Sequence, residues 1–254
     1  MPRLAANFSL MFQEVKMMDR FALAANLGFK GVEIQNPYGH TSGEIGRAYR
    51  EHGLDAVLFN MPTAVGALSG READFETGFS RALEYCETAG CQQIHCLAGQ
   101  TDDERGEGVF VNNLRQASTE ARRLGVRLLV EPLNTRDNPG YFLTSSAQAK
   151  RIIDLVGQDN VFLQYDIYHM QIMEGCLAAT ITANLDIIGH IQIAGVPGRN
   201  EPNAKQEVNY PYLLNLLDEA GYTHWVACEY RPHGGTINGL GWAAPYGIKS
   251  GSEL

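Results

Sequence analysis

Eight short runs of strand-forming apolar residues, each parted from the next by a stretch long enough for one helix, leave this chain few folds to choose from. The runs centre on Leu4, Val32, Val57, Ile94, Leu129, Leu163, Ile191 and Val226. Glycine stands shortly before six of them, at Gly28, Gly53, Gly90, Gly125, Gly157 and Gly221, where it can take the left-handed conformation that ends a helix. The repeat drifts around about 32 residues, the length of one strand–helix unit and not of a helical hairpin. Eight such units in 254 residues predict an α/β protein, a single-domain (β/α)8 TIM barrel over residues 1–254. An open doubly wound sheet is the weaker alternative. Its glycine-rich dinucleotide fingerprint is missing after the first strand, where Asn7-Phe8-Ser9-Leu10 stands instead.

The connections that follow strands are longer than those that precede them. Residues 60–70, 132–144 and 194–209 are rich in Gly, Pro and Asn and trail the third, fifth and seventh runs. In a barrel, function gathers on the face that carries such loops. Val15, Met18, Phe21, Ala22 and Ala25 recur at helical spacing and predict a first helix over 14–27. Thr41-Ser42-Gly43-Glu44 is a capping box for the second, and Ser145 and Asn209 are N-cap candidates for two later ones. The tail over 241–254 predicts an irregular, poorly ordered end.

Composition narrows the class of partner. A net charge of -9 and a pI near 5.3 argue against nucleic acid and against an anionic membrane surface. Five cysteines sit mostly inside apolar runs rather than in CxxC pairs, which predicts buried, reduced thiols and a cytoplasmic protein. Neither a signal-peptide pattern nor a membrane-length apolar run is present.

The fifth run, Arg127-Leu128-Leu129-Val130, stops on Glu131-Pro132, and a proline without an N–H cannot continue the ladder. That strand therefore delivers Glu131 to its C-terminal end. The sixth run ends on Asp166, the seventh on Gln192 and the eighth on Glu229. Three carboxylates brought to one barrel mouth repel one another unless a cation lies between them. Oxygen ligands without cysteine favour a hard divalent ion, Mg2+ or Mn2+, over zinc. His169, three residues past Asp166, can turn back over the mouth to hydrogen-bond a substrate oxygen. His95, in the fourth strand, either faces the pocket or is a satisfied core imidazole. Arg199, in the loop after the seventh strand, suits a bidentate clamp on a carboxylate, while Arg231 could pair with Glu229 or another acid.

Taken together, Glu131-Pro132-Leu133-Asn134, Tyr165-Asp166-Ile167-Tyr168-His169, Gln192-Ile193-Ala194 with Val196-Pro197-Gly198-Arg199-Asn200-Glu201-Pro202, and Cys228-Glu229-Tyr230-Arg231-Pro232 closely resemble the hydroxypyruvate isomerase family. The likeness extends from Ala5-Ala6-Asn7-Phe8 to Gly239-Leu240-Gly241-Trp242, essentially the whole chain. The wider group is the xylose-isomerase-like barrels. The resemblance implies interconversion of hydroxypyruvate and tartronate semialdehyde. It places acid/base catalysis on Glu131 and Glu229, and a metal set on Glu131, Asp166, Gln192 and Glu229. Related ketose epimerases generally carry histidine where Gln192 stands, a departure that implies a more loosely held ion. The expected substrate is a small carboxylated hydroxy-keto compound, bound by His169, Arg199 and His95; the oligomeric state stays open, a homo-oligomer included. Alternatives within the group are a 2-oxo-tetronate isomerase and a ketose 3-epimerase. More distant is a retaining glycosidase, in which Asp166 and Gln192 would have no role, and a DNA-repair endonuclease would need a basic surface.

Overall fold

In the computed structural model, which describes residues 1–251, eight parallel strands close into a barrel in chain order. They are β1 (Arg3–Asn7), β2 (Gly31–Ile34), β3 (Asp55–Asn60), β4 (Gln93–His95), β5 (Arg127–Val130), β6 (Val161–Asp166), β7 (Ile188–Ile193) and β8 (Trp225–Cys228). Around them run α1 (Asp19–Leu27), α2 (Ser42–His52), α3 (Glu72–Ala89), α4 (Gly106–Arg123), α5 (Ser146–Val156), α6 (Ile167–Met173), α7 (Leu177–Ala183), α8 (Tyr210–Glu219) and the short α9 (Thr236–Gly239). β1 pairs with β8 through Arg3↔Trp225 to Ala6↔Cys228, which closes the ring. No helix among the described residues is long and apolar enough to cross a membrane.

Local chemistry sets the helix ends. Thr41 accepts from the Glu44 N–H while the Glu44 carboxylate takes the Thr41 N–H, the reciprocal box that opens α2. Ser145 and Asn209 cap α5 and α8 through the N–H groups of Gln148 and Tyr212. Gly46 lies inside α2, where glycine costs about 1 kcal/mol relative to alanine. It is placed there by packing: a Cβ would lie 2.5 Å from the Thr88 carbonyl oxygen of α3. Gly46→Ala is therefore expected to lower the thermal unfolding temperature, although helix propensity alone calls for a rise.

Three expectations are corrected. α1 begins at Asp19, not near residue 14, because Glu14 is drawn away to accept from the Thr236 N–H (2.7 Å) and hydroxyl (3.1 Å) at the far end of the chain. The β6–β7 connection holds two helices where the repeat predicts one. Gly175 and Cys176, with φ of 65° and 47°, turn the chain between them, and this leaves Cys176 exposed while the other four free cysteines are buried. The tail is ordered through residue 251: Leu240–Tyr246 winds into a 3-10 helix, and Lys249 N–H donates to the Leu27 carbonyl at 2.8 Å. The expected disorder of the last residues, 252–254, falls outside the described residues.

The lumen is layered. Ala5, Val57, Leu129 and Ala227 form an apolar floor, with Phe162 and Trp225 packed against it. Above that floor the lumen turns polar, and Asn7, Glu33, His95, Gln164, Asp166, His190 and Gln192 are all buried. Burying polar groups is costly unless they find partners, and most of these stand at or near a strand's C-terminal end, with His190 midway along β7.

Candidate active site

The strand ends bring the expected residues to one mouth. Asp166 and Gln192 face each other in the β6–β7 ladder, and the main-chain N–H of Glu229 donates to Ile193 at 3.0 Å, which carries Glu229 to the same level. Glu131 follows β5 directly, with Oε2 at 3.4 Å from Nδ1 of His95. Glu131, Asp166, His169 and Glu229 are each at most 5% exposed.

Arg199 supplies the cation that the crowded carboxylates require. Its Nη2 lies 2.9 Å from Glu229 Oε1 and 3.4 Å from Asp166 Oδ2, and its guanidinium stands 4.9 Å from the Tyr168 ring. The residue sits at φ 53°, an uncommon conformation for a side chain of this size. Three bonds hold it there: Arg231 N–H donates to the Arg199 carbonyl (2.7 Å), Asn200 Nδ2 to the Arg231 carbonyl (2.8 Å), and Gly195 N–H to the Asn200 carbonyl (2.8 Å). The loop after β7 is thus strapped to the loop after β8. Arg231 contributes its backbone to this strap, and its side chain is exposed.

His169 has a fixed tautomer. Its Nδ1 receives the main-chain N–H of Asn134 at 3.0 Å, a group that can only donate, so the proton resides on Nε2, which points at Asp166 Oδ2 from 3.5 Å. Glu131, Asp166 and His169 present atoms within 4.8 Å of one another, close enough for a metal ion. A protonated Nε2 donates rather than ligates, however, so an ion held here would take its ligands from oxygens. The donor set fits such an ion: Glu229 Oε2 is buried without a hydrogen-bond partner, beside the carboxylates of Asp166 and Glu131. His95 also enters the site, and both its ring nitrogens are buried without hydrogen bonds.

Burial, reinforced by the charges of Glu229 and Asp166, pushes the Glu131 carboxyl well above the usual carboxylate range. Burial raises Glu229 to about 8, with Arg199 opposing and Asp166 and Glu33 adding to it. Burial lowers His95 to about 3, helped by His190 and His169, and lowers His169 to about 4 against the pull of Asp166. Burial works against the charge of Arg199, but Glu229, Asp166 and Glu131 outweigh it and hold its pKa above the ordinary value. A carboxyl raised on folding stabilises the fold below its unfolded value of 4.5 and loses that contribution as pH climbs through 8. The two imidazoles act in the opposite sense, their contribution falling away only below 6.5. Chelated protein is therefore expected to lose thermal stability from pH 6.5 to 8, and Glu229→Gln to flatten that decline. A wild-type Tm that holds level or rises across this window contradicts the assignment.

Several contacts are absent from the expectations. Gln35 hydrogen-bonds Glu229, Asn134 orients His169 through its N–H and through Nδ2 at 2.7 Å, and Gln192 is gripped by Gln164 and Glu33. Glu33, a lone charge in the apolar triplet Val32-Glu33-Ile34, carries a readable signal. Gln35 and Asn134 carry none, since loop polar residues are ordinary.

The sequence matches the model of the xylose isomerase-like TIM barrel family over residues 21–246. It is 45% identical to a 2-oxo-tetronate isomerase of Cupriavidus necator, over 97% of this chain and 99% of that one. It is 40% identical to the hydroxypyruvate isomerase of Escherichia coli, over 97% and 100%. Among solved structures, one titled AP endonuclease, family 2, from Brucella melitensis superposes with a TM-score of 0.95 at 43% identity, covering 97% of this chain and 99% of that one.

Proposed function

Because the chain belongs to the xylose isomerase-like TIM barrel family, alongside the hydroxypyruvate and 2-oxo-tetronate isomerases, we propose that it interconverts hydroxypyruvate and tartronate semialdehyde. The observation that carries this reading is a pair of unsatisfied atoms on touching side chains. Arg199 Nε is a buried donor without an acceptor, Glu229 Oε2 a buried acceptor without a donor, and the two residues are ion-paired at 2.9 Å. A small carboxylate answers the first, and an ion or an acidic C–H brought beside it answers the second.

The chain's own groups divide the work. Arg199 binds the C1 carboxylate, and His169 donates a hydrogen bond from Nε2 to the C2 oxygen as negative charge builds there. One of Glu131 and Glu229 removes a proton from C3, leaving an enediolate across C2 and C3. The other returns a proton to C2, while the C3 hydroxyl proton passes to the C2 oxygen, so that C3 becomes the aldehyde and C2 carries the alcohol; proton exchange between the two glutamates then resets them. Their raised proton affinities suit groups that must both accept and release a proton near neutrality. A divalent ion, Mg2+ or Mn2+, held by Glu131, Asp166, Gln192 and Glu229, would supply further neutralisation of the oxyanion, of the order of several kcal/mol.

The second reading, a 2-oxo-tetronate substrate, is favoured by the Cupriavidus relative and uses the same groups on a longer chain. Family membership displaces the glycosidase alternative. Repair of DNA calls for a basic surface, against a net charge of -9; among the described residues one metal-ligand group stands out, the oxygen-rich cluster at Glu131 and Asp166. Incubation in D2O with hydroxypyruvate, a 2-oxo-tetronate and a neutral ketose, with Mg2+ or Mn2+ and after chelation, tests the reading by proton NMR. Deuterium is expected beside the carbonyl of hydroxypyruvate, with product, and neither after chelation. Absence of exchange from all three substrates in replete metal would overturn the reading.

A further inference from the structure

Glu33 has no part in the proton transfers above, yet it is buried in the lumen and three side chains from two other strands, β1 and β7, converge on it. Asn7 Nδ2 donates to its Oε1 at 2.6 Å and Gln192 Nε2 to the same oxygen at 2.9 Å, while Oε2 lies 2.7 Å from His190 Nε2. A carboxamide can normally be turned either way round at small cost. Here the first link removes the choice. Asn7 Oδ1 accepts the main-chain N–H groups of Ser9 (2.9 Å) and Leu10 (3.0 Å); these can only donate, so the oxygen must face them and the nitrogen must face Glu33. Oε1 of Glu33, accepting there, obliges Gln192 to present its nitrogen too. Gln192 Oε1 is then turned to Gln164 Nε2, from which it accepts at 2.6 Å, with a second lone pair left over.

We propose that Glu33 is a positioning residue that keys the Gln192 carboxamide, so that its oxygen and not its nitrogen is offered to the divalent ion at the mouth. This rests on the assignment of Gln192 to the metal set. An amide turned the wrong way would point two N–H bonds at a cation. The orientation is dictated from the loop after β1, through Asn7 and Glu33, and Gln164, whose own Oε1 has no partner, follows it by donating to the Gln192 oxygen.

The keying needs an acceptor at one oxygen rather than a charge, and that separates the variants. Glu33→Leu removes the acceptor and frees Gln192 to turn. Glu33→Gln keeps one oxygen for Asn7 and Gln192, and its nitrogen can donate to His190 Nε2, because His190 Nδ1 has no partner and is free to carry the ring proton. Mn2+ binding followed by EPR of the free ion, on the full chain, is expected to weaken about tenfold to a hundredfold in Glu33→Leu and to survive in Glu33→Gln. In a Gln192→Ala background, Glu33→Leu should cost little more, since a residue acting through Gln192 has nothing left to act on. Should Glu33→Leu fail to fold, Glu33→Met removes the acceptor with a side chain closer in shape, with the same expected loss and the same silence beside Gln192→Ala. The proposal is overturned if wild type binds no Mn2+, if Glu33→Leu binds as well as wild type, if its loss is undiminished beside Gln192→Ala, or if Glu33→Gln is as damaged as Glu33→Leu. A non-additive cycle in a protein that isomerises none of the three substrates would leave the role of Glu33 standing and remove the functional reading instead.

Discussion

Glu131→Gln and Glu229→Gln are each expected to cut turnover of hydroxypyruvate by about 10²–10⁴-fold, the usual worth of a positioned acid or base, without loss of fold. The amide keeps the shape of each side chain and removes its capacity to carry a proton together with its negative charge. Stability should not suffer, because either change relieves a cluster in which burial and mutual repulsion already raise both carboxyls, and Arg199 keeps Asp166 as a partner. Proton NMR in D2O separates the two roles. The variant that has lost the C3 base shows neither exchange nor product, whereas the variant that has lost only the C2 donor still washes deuterium into C3. Near-normal turnover in either would remove that glutamate from the reaction.

Arg199→Met should be the next most damaging change. The methionine keeps much of the apolar stem but leaves Asp166 and Glu229 without the guanidinium that now lies 3.4 Å and 2.9 Å away. Breaking such a desolvated pair costs about 2–5 kcal/mol, roughly thirtyfold to a few thousandfold if expressed in kcat/KM. Arg199→Lys should recover little, since an ammonium cannot reach two carboxylates and a substrate with one planar fork. The comparison that decides the role is between substrates. If Arg199 clamps the carboxylate, the loss on hydroxypyruvate far exceeds that on a neutral ketose; equal losses would mean that the arginine only balances charge.

The barrel was legible because its information is periodic. Apolar runs of strand length, closed by glycines such as Gly53 and Gly157 at φ of 60° and 64°, repeat often enough to name the fold. Glu131, Asp166 and Glu229 were legible for a related reason: a strand end in a closed barrel has one place to point. What could not be read was contact between residues remote in the chain. Gln35 meets Glu229 across 194 positions, and Glu33 meets His190 across 157, distances over which no local pattern carries. Arg199 illustrates the other limit. Its loop position suggested a clamp, but its pairing with Asp166 and Glu229 depends on a backbone conformation that bonds from Asn200 and Arg231 impose. The break between α6 and α7 was missed because Cys176, at a left-handed φ, is not a residue that announces a turn.

The apolar floor made by Ala5, Val57, Leu129 and Ala227 makes the barrel a vessel open at one end. Water, substrate and solvent deuterons share a single doorway, the ring of loops above Glu131 and Glu229. Whether a hydrogen lifted from C3 is passed from one glutamate to the other and so to C2, or is lost to the solvent, is then a race between that relay inside the vessel and traffic through the doorway. The fraction of label retained in the product becomes a clock for the loops, and loosening the strap between Arg199 and Arg231 should make it run fast.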